Sequence, residues 1–161
     1  MKRERVIKLS KSILILATAL FFTIVAFNNL TDYGSNFEFV KHVLSMDTTF
    51  EGNNLLWRSI TSPIVHHIFY WIIILWEIAV AILLWIAGIR LLNHKNKIYE
   101  KGICKAIFGL TLALLLWFFA FITVGGEWFA MWQSSIWNGQ DAAFRMFVIN
   151  GLTLLFLMFK D

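Results

Sequence analysis

Four stretches of this chain are too apolar and too long for water to be their natural solvent: residues 7–29, 63–91, 103–124 and 142–159. A helix rising 1.5 Å per residue needs about 20 residues to cross the roughly 30 Å hydrocarbon core of a bilayer. Inside lipid every backbone N–H and C=O must be satisfied within the protein, so a single spanning segment has to be helical. The hydrophobic content of 59%, against about 45–50% in soluble domains, is gathered into these blocks. The pattern predicts an all-α fold: an integral membrane four-helix bundle forming one domain over residues 1–161. The second block is the longest and has room to tilt, while the fourth is the shortest.

The first block begins among Lys2, Arg3, Arg5, Lys8 and Lys11, as a secretory signal does. Its apolar region exceeds the usual ~7–15 residues of a signal and no small-x-small site follows Phe27, so the reading is an uncleaved first span. Orientation follows from the cations. Eleven Lys and Arg fall at the N-terminus, around the connection between spans two and three (Arg90, Lys95, Lys97, Lys101, Lys105) and at Lys160. Only Lys41, Arg58 and Arg145 fall on the other side. The positive-inside rule then places both termini in the cytoplasm of a multi-pass inner-membrane protein. The net charge of +4 is explained by this distribution, and no nucleic-acid partner is expected. The short basic loop, with His94 exposed in it, reads as a turn anchored to anionic headgroups.

The two outer segments, 30–62 and 125–141, are richer than plain loops. Ser35 and Glu38 have capping-box spacing, and Phe37, Val40 and Leu44 then share a face, which predicts a short amphipathic helix over 36–46 at the outer interface. Trp128, Trp132 and Ile136 have the spacing of one helical stripe. Tryptophan prefers the headgroup layer, so this segment reads either as an aromatic belt or as a second lid element meeting the first. Ser62 followed by Pro63 is a good helix start. Asp141 and Arg145, four apart at the head of the fourth span, read as a capping acid and its ion-pair partner.

The residue that most calls for chemistry is Glu77, between Trp76 and Ile78 in the second block. A charged carboxylate at the centre of a spanning helix costs about 2.5–3.5 kcal/mol on the translocon scale. It must be neutral, partnered or turned to a polar interior, and such residues are functional candidates by default. Partners at similar estimated depth are Thr18, Thr111, Thr153 and Asn150, and a bond to Asn150 would make a structural latch.

His42, His66, His67 and Glu127 are weak metal candidates. Imidazole and carboxylate suit zinc, but no pair has i, i+4 spacing, adjacent histidines diverge by about 100° on a helix, and His66 stands about 16 Å along the axis from Glu77. Histidines bonded to loop backbone are the expected alternative. Haem lacks paired histidines at one depth on two spans. No triad, phosphate loop or dinucleotide fingerprint is present, and the single Cys104 forms no internal disulfide. No cofactor is expected.

The segments FNNLTDY (27–33), FVKHVLSMDTTF (39–50), WRSITSPIVHHIFY (57–70), WE (76–77) and GGEWFAMWQSSIWNGQDAAFR (125–145) resemble a bacterial family of predicted small integral membrane proteins of unknown function. The last segment is the most specific, and the likeness covers nearly the whole chain. The resemblance implies a four-span inner-membrane protein and brings no activity, cofactor or catalytic residue.

Two functional readings stand. One is a non-enzymatic module: an accessory subunit for a membrane protein partner, a homo-oligomer, or a binder of a lipid-like or small ligand beneath the outer cap. The other is a proton-coupled carrier or membrane enzyme using Glu77 with outer His, Asp and Glu residues. A carrier would need oligomerisation, because four helices enclose little space.

Overall fold

The computed structural model describes residues 3–93 and 95–159, so the expectation for His94 and the charges of Lys2 and Lys160 lie outside the described residues. Every regular element among the described residues is helical. Helix α1 runs Arg3–Thr31, α2 Tyr33–Ser45, α3 Pro63–Leu91, α4 Asn96–Leu115 and α5 Gln140–Met158. Beyond Leu115 the fourth helix continues without a break as a π-helix, Leu116–Trp128. Single 3-10 turns occur at Leu56–Arg58 and Met131–Gln133. The long helices α1, α3, α4 with its π extension, and α5 are each long and apolar enough to cross a membrane.

Two stripes explain the central pairing. On α1, Ile15, Ala19, Phe22, Ala26 and Asn29 are buried. On α3, Tyr70, Ile74, Glu77, Val80, Leu84 and Leu91 are buried. Both follow the three-and-four spacing of one helical face. The antiparallel contact is close because α3 carries a glycine where it meets α1. A Cβ on Gly88 would stand 2.5 Å from Cδ2 of Leu16. On the other side of α3, a Cβ on Gly109 would meet Leu84 at 2.8 Å. Helix α3 is thus the central element, with α1 on one flank and α4 on the other, while α5 packs on α4 and the π segment.

Because Asn29 lies level with Glu77 and only two residues from the end of α1, roughly three turns of α3 project past α1. The chain turns at Asp32 and α2 lies against that projecting part, with Tyr33 and Phe37 stacking around His67 and Tyr70. Two apolar cores result. The larger fills the bundle around Ile15, Phe22, Leu84, Leu110 and Leu157. The smaller lies under α2 around Val40, Leu44, Met46, Ile74, Phe129 and Met131. Most other large apolar side chains on the spans are exposed, as lipid-facing surface requires.

The amphipathic helix expected over 36–46 begins earlier, at Tyr33, and its Val40 and Leu44 are buried as the pattern predicts. The capping box does not form. Asp32 is the N-cap residue, and Ser35 donates to its carboxylate at 2.7 Å. Glu38 instead accepts from Lys41 at 2.8 Å. The expected stripe of Trp128, Trp132 and Ile136 also fails. Helix persists through Trp128, then Ala130 takes a left-handed φ of 51° and breaks it. Helix α3 does start at Ser62–Pro63, though the serine hydroxyl makes no capping bond.

Candidate functional site

Glu77 is 2% exposed and falls between the two apolar cores, after Ile74 of one and before Val80 of the other. Its partner is Asn29, whose side-chain amide donates to Oε2 at 2.7 Å. The oxygen of that same amide accepts from Asn36 of α2 at 2.6 Å. Tyr70 Oη donates to the backbone carbonyl of Asn29 at 3.4 Å. One residue ahead, the indole N–H of Trp76 donates to the carbonyl of Leu112 at 3.1 Å and ties α3 to α4. A polar layer therefore joins α1, α2 and α3, running from the buried Glu77 out to the exposed Asn36.

This layer opens on a cavity of about 230 Å³. Asn29, Asn36, Tyr70 and Glu77 supply its polar wall, with Phe39, Ile73, Trp117 and Phe121 among the apolar lining. Gly139 and Ala142 line the side toward α5, and the cavity is open beside the exposed Asn36 and Ala142. Oε1 of Glu77 accepts no hydrogen bond from a described residue. Trp117, only 8% exposed, has its indole N–H buried and unpartnered. An orphan buried donor normally costs about 1–3 kcal/mol, and π-helical turns occur frequently at functional sites. Trp117 and Phe121 both belong to the π segment.

The expected partners of Glu77 lie elsewhere. Asn150 is fully buried, but its amide donates to the carbonyl of Met146 at 2.7 Å and its Oδ1 has no partner. Thr18, Thr111 and Thr153 each bond back to the carbonyl four residues earlier. A hydroxyl satisfied within its own helix has no donor left for a neighbour. Depth judged along each block separately puts Asn29 at the membrane edge. The offset of α3 brings it level with Glu77. The available signal was its place on the Ile15–Ala19–Phe22–Ala26 stripe.

The histidines occupy three separate settings. Nε2 of His66 meets the carbonyl of Ile60 at 2.7 Å, the loop-backbone bond expected of it. Nδ1 of His67 meets Tyr33 Oη at 2.7 Å, with its ring stacked 4.2 Å from Phe37. Nδ1 of His42 meets Asp47 at 2.7 Å, Nε2 stands 3.5 Å from Glu38, and the ring stacks on Trp137 at 4.7 Å. Glu127 is exposed near the end of the π segment. Among the described residues no three His, Cys, Asp or Glu side chains gather as a metal site. Asp141 lies in the first turn of α5, but it and Arg145 are both exposed and form no ion pair. Burial raises the Tyr33 hydroxyl above the usual tyrosine value.

The two cap segments meet directly. Thr48 donates to Ser134 at 2.8 Å, and Gln133 Oε1 accepts from the Phe50 N–H at 3.1 Å and from Asn53 at 3.0 Å. Arg58 donates to the carbonyl of Trp128 and lies 4.6 Å from its ring, while Trp132 packs edge-on against Phe50. Trp128 and Trp132 thus hold the segments together as well as offering aromatic surface.

Four bilayer-length helices beneath a two-part cap match one family model across residues 7–160, described as predicted small integral membrane protein (DUF2165). The chain belongs to that family. No curated protein and no solved structure matches it. Membership in DUF2165 agrees with the resemblance carried by the segments quoted above, and it makes the bilayer the medium around the exposed apolar faces.

Proposed function

We propose that this member of the DUF2165 family is a non-enzymatic membrane module that holds a small ligand in the chamber beneath its cap, with Glu77 as the polar anchor. The observation that carries the reading is Glu77 itself, positioned by Asn29 and lining a cavity of about 230 Å³ with one carboxyl oxygen unengaged. A group buried only as a latch would have its hydrogen-bonding capacity used by neighbours. The line from Glu77 through Asn29 to Asn36 consists of amides, which neither take up nor release protons near neutral pH. That favours anchoring over proton transfer, and the histidines bonded elsewhere offer Glu77 no titrating partner.

The charge distribution supports a bacterial inner-membrane setting with both termini in the cytoplasm and the cap outside. An association with a membrane protein partner, or with a second copy, is compatible with the exposed spans.

The reading is tested by native mass spectrometry of protein extracted in mild detergent. Wild type is expected to carry a small-molecule adduct that Glu77→Leu loses while remaining folded. An adduct retained by Glu77→Leu, or a wild type carrying none, would count against a ligand anchored there.

A further inference from the structure

The end of the bundle opposite the cap carries a gathering of cations that packing does not explain. The turn between α3 and α4 brings Arg90, near the end of α3, against the first two turns of α4. A Cβ on Gly102 would stand 3.1 Å from Cβ of Arg90, so the missing side chain lets the arginine stem lie on α4. There Arg90 shares a shallow hollow of about 560 Å³ with Lys97, Lys101 and Lys105. Glu100 is the only carboxylate in its lining. Among the described residues, none of these five side chains forms an ion pair.

Local electrostatics oppose this arrangement. Lys97, Lys101 and Lys105 follow one another at four-residue steps, the spacing at which like charges destabilise a helix. The stripe starts at the N-terminal end of α4, where the helix dipole favours anions and repels cations. That end has no acid in its first turn, and its N-cap residue, Lys95, makes no side-chain capping bond. One carboxylate does not offset four cations. An anion from outside the chain would relieve each of these strains.

The patch also marks a depth. Ile89, next to Arg90, is 61% exposed, and Phe108, which lines the hollow, is 57% exposed. Apolar surface that belongs against lipid therefore borders cations that belong among headgroups, with the half-buried Lys105 between them.

Independently of the chamber, we propose that this hollow is a discrete site for the phosphate headgroup of an anionic phospholipid. Charge complementarity selects the head. The exposed apolar border selects a lipid over a free anion, because acyl chains can run along Phe108 while the head meets Arg90 and the lysines. A diffuse attraction of basic loops to an acidic leaflet would follow the number of charges alone. A site follows where they stand.

The test titrates phosphatidylglycerol into the full chain in neutral detergent and reads adducts by native mass spectrometry. Wild type is expected to hold one tight phosphatidylglycerol, with phosphatidylcholine about tenfold weaker or worse. A basic residue near a membrane surface contributes roughly a fivefold factor, so R90Q/K101Q/K105Q is expected to weaken the adduct by about tenfold or more. Arg3, Arg5 and Lys95 do not line the hollow, and R3Q/R5Q/K95Q, which removes as many charges, is expected to retain it. Equal weakening in both triple variants means a diffuse field and overturns the site. Equal affinity for phosphatidylcholine overturns the anionic head. Displacement by inorganic phosphate at equal concentration makes the free anion the occupant and overturns the lipid. Should the first triple variant not accumulate, K101Q alone, at an exposed position, is expected to weaken the adduct about fivefold, and an unchanged adduct overturns the site.

Discussion

Asn29 and Asn150 are both buried asparagines in spanning helices, yet they play opposite parts. Asn29 uses its amide twice, toward Glu77 and from Asn36. Asn150 satisfies one end within its own helix and leaves the other orphaned. Removing a partner from a buried polar group costs about 1–3 kcal/mol, whereas replacing an unsatisfied one by an apolar group can be neutral or better. Asn29→Leu is therefore expected to destabilise by about 1–3 kcal/mol in thermal unfolding in detergent, with Asn150→Leu near neutral. Equal losses from both would sink the assignment of Asn29 as the partner. On the cap, the hydrogen bond from Lys41 holds the exposed Glu38 carboxyl below its usual 4.5, against an opposing desolvation and with the Lys41 and His42 charges assisting. A depressed folded value means the contribution is present above about pH 4.5 and is lost as pH falls through the lower value. Lys41→Met is expected to move the Glu38 titration upward toward 4.5 in NMR, and an unmoved curve would clear Lys41 of the effect. Glu77 was legible in the sequence because a carboxylate in an apolar block is conspicuous. Its partner was less so, since an asparagine beside a block's end looks like an ordinary interface residue.

At the scale of elements, the helices were readable from length and apolar spacing, and their irregularities were not. A capping box needs the serine at the N-cap, and Asp32 takes that place three residues earlier. The π segment has no composition that distinguishes LWFFAFITVGGEW from an α-helix, so Trp117 and Phe121 could not be assigned to a cavity wall beforehand. Two glycines separate packing from propensity. Gly88→Val places side-chain atoms against Leu16 at the α1–α3 contact and is expected to cost about 1–3 kcal/mol. Gly34, in α2, has nothing within 4 Å of an added Cβ. Gly34→Ala is expected to stabilise by about 0.5 kcal/mol or less through helix propensity alone, because it stands in the first turn of α2 rather than in the helix interior. Thermal unfolding of the two variants in one detergent checks both signs, and a destabilising Gly34→Ala would mean that α2 has an unrecognised neighbour.

For the molecule as a whole, the four helices and the cap follow from where lipid and water divide the side chains. The positive-inside asymmetry adds a direction that packing does not supply. A reporter active only in the cytoplasm, fused after residue 161, is expected to be active, while the same reporter inserted after Gly52 in the cap is expected to be silent. The reverse pattern would invert the protein in the membrane. One junction joins the scales. Asn29 sits where the last turn of α1, the carboxyl of α3 and the first turns of α2 come together, so α2 cannot lift without disturbing the residue that positions Glu77. Thermodynamic linkage then acts in both directions. The factor by which an occupant of the chamber suppresses detachment of α2 equals the factor by which detachment weakens the occupant. Amide hydrogen exchange along α2 therefore reports an event one layer below it, even before the occupant has been identified.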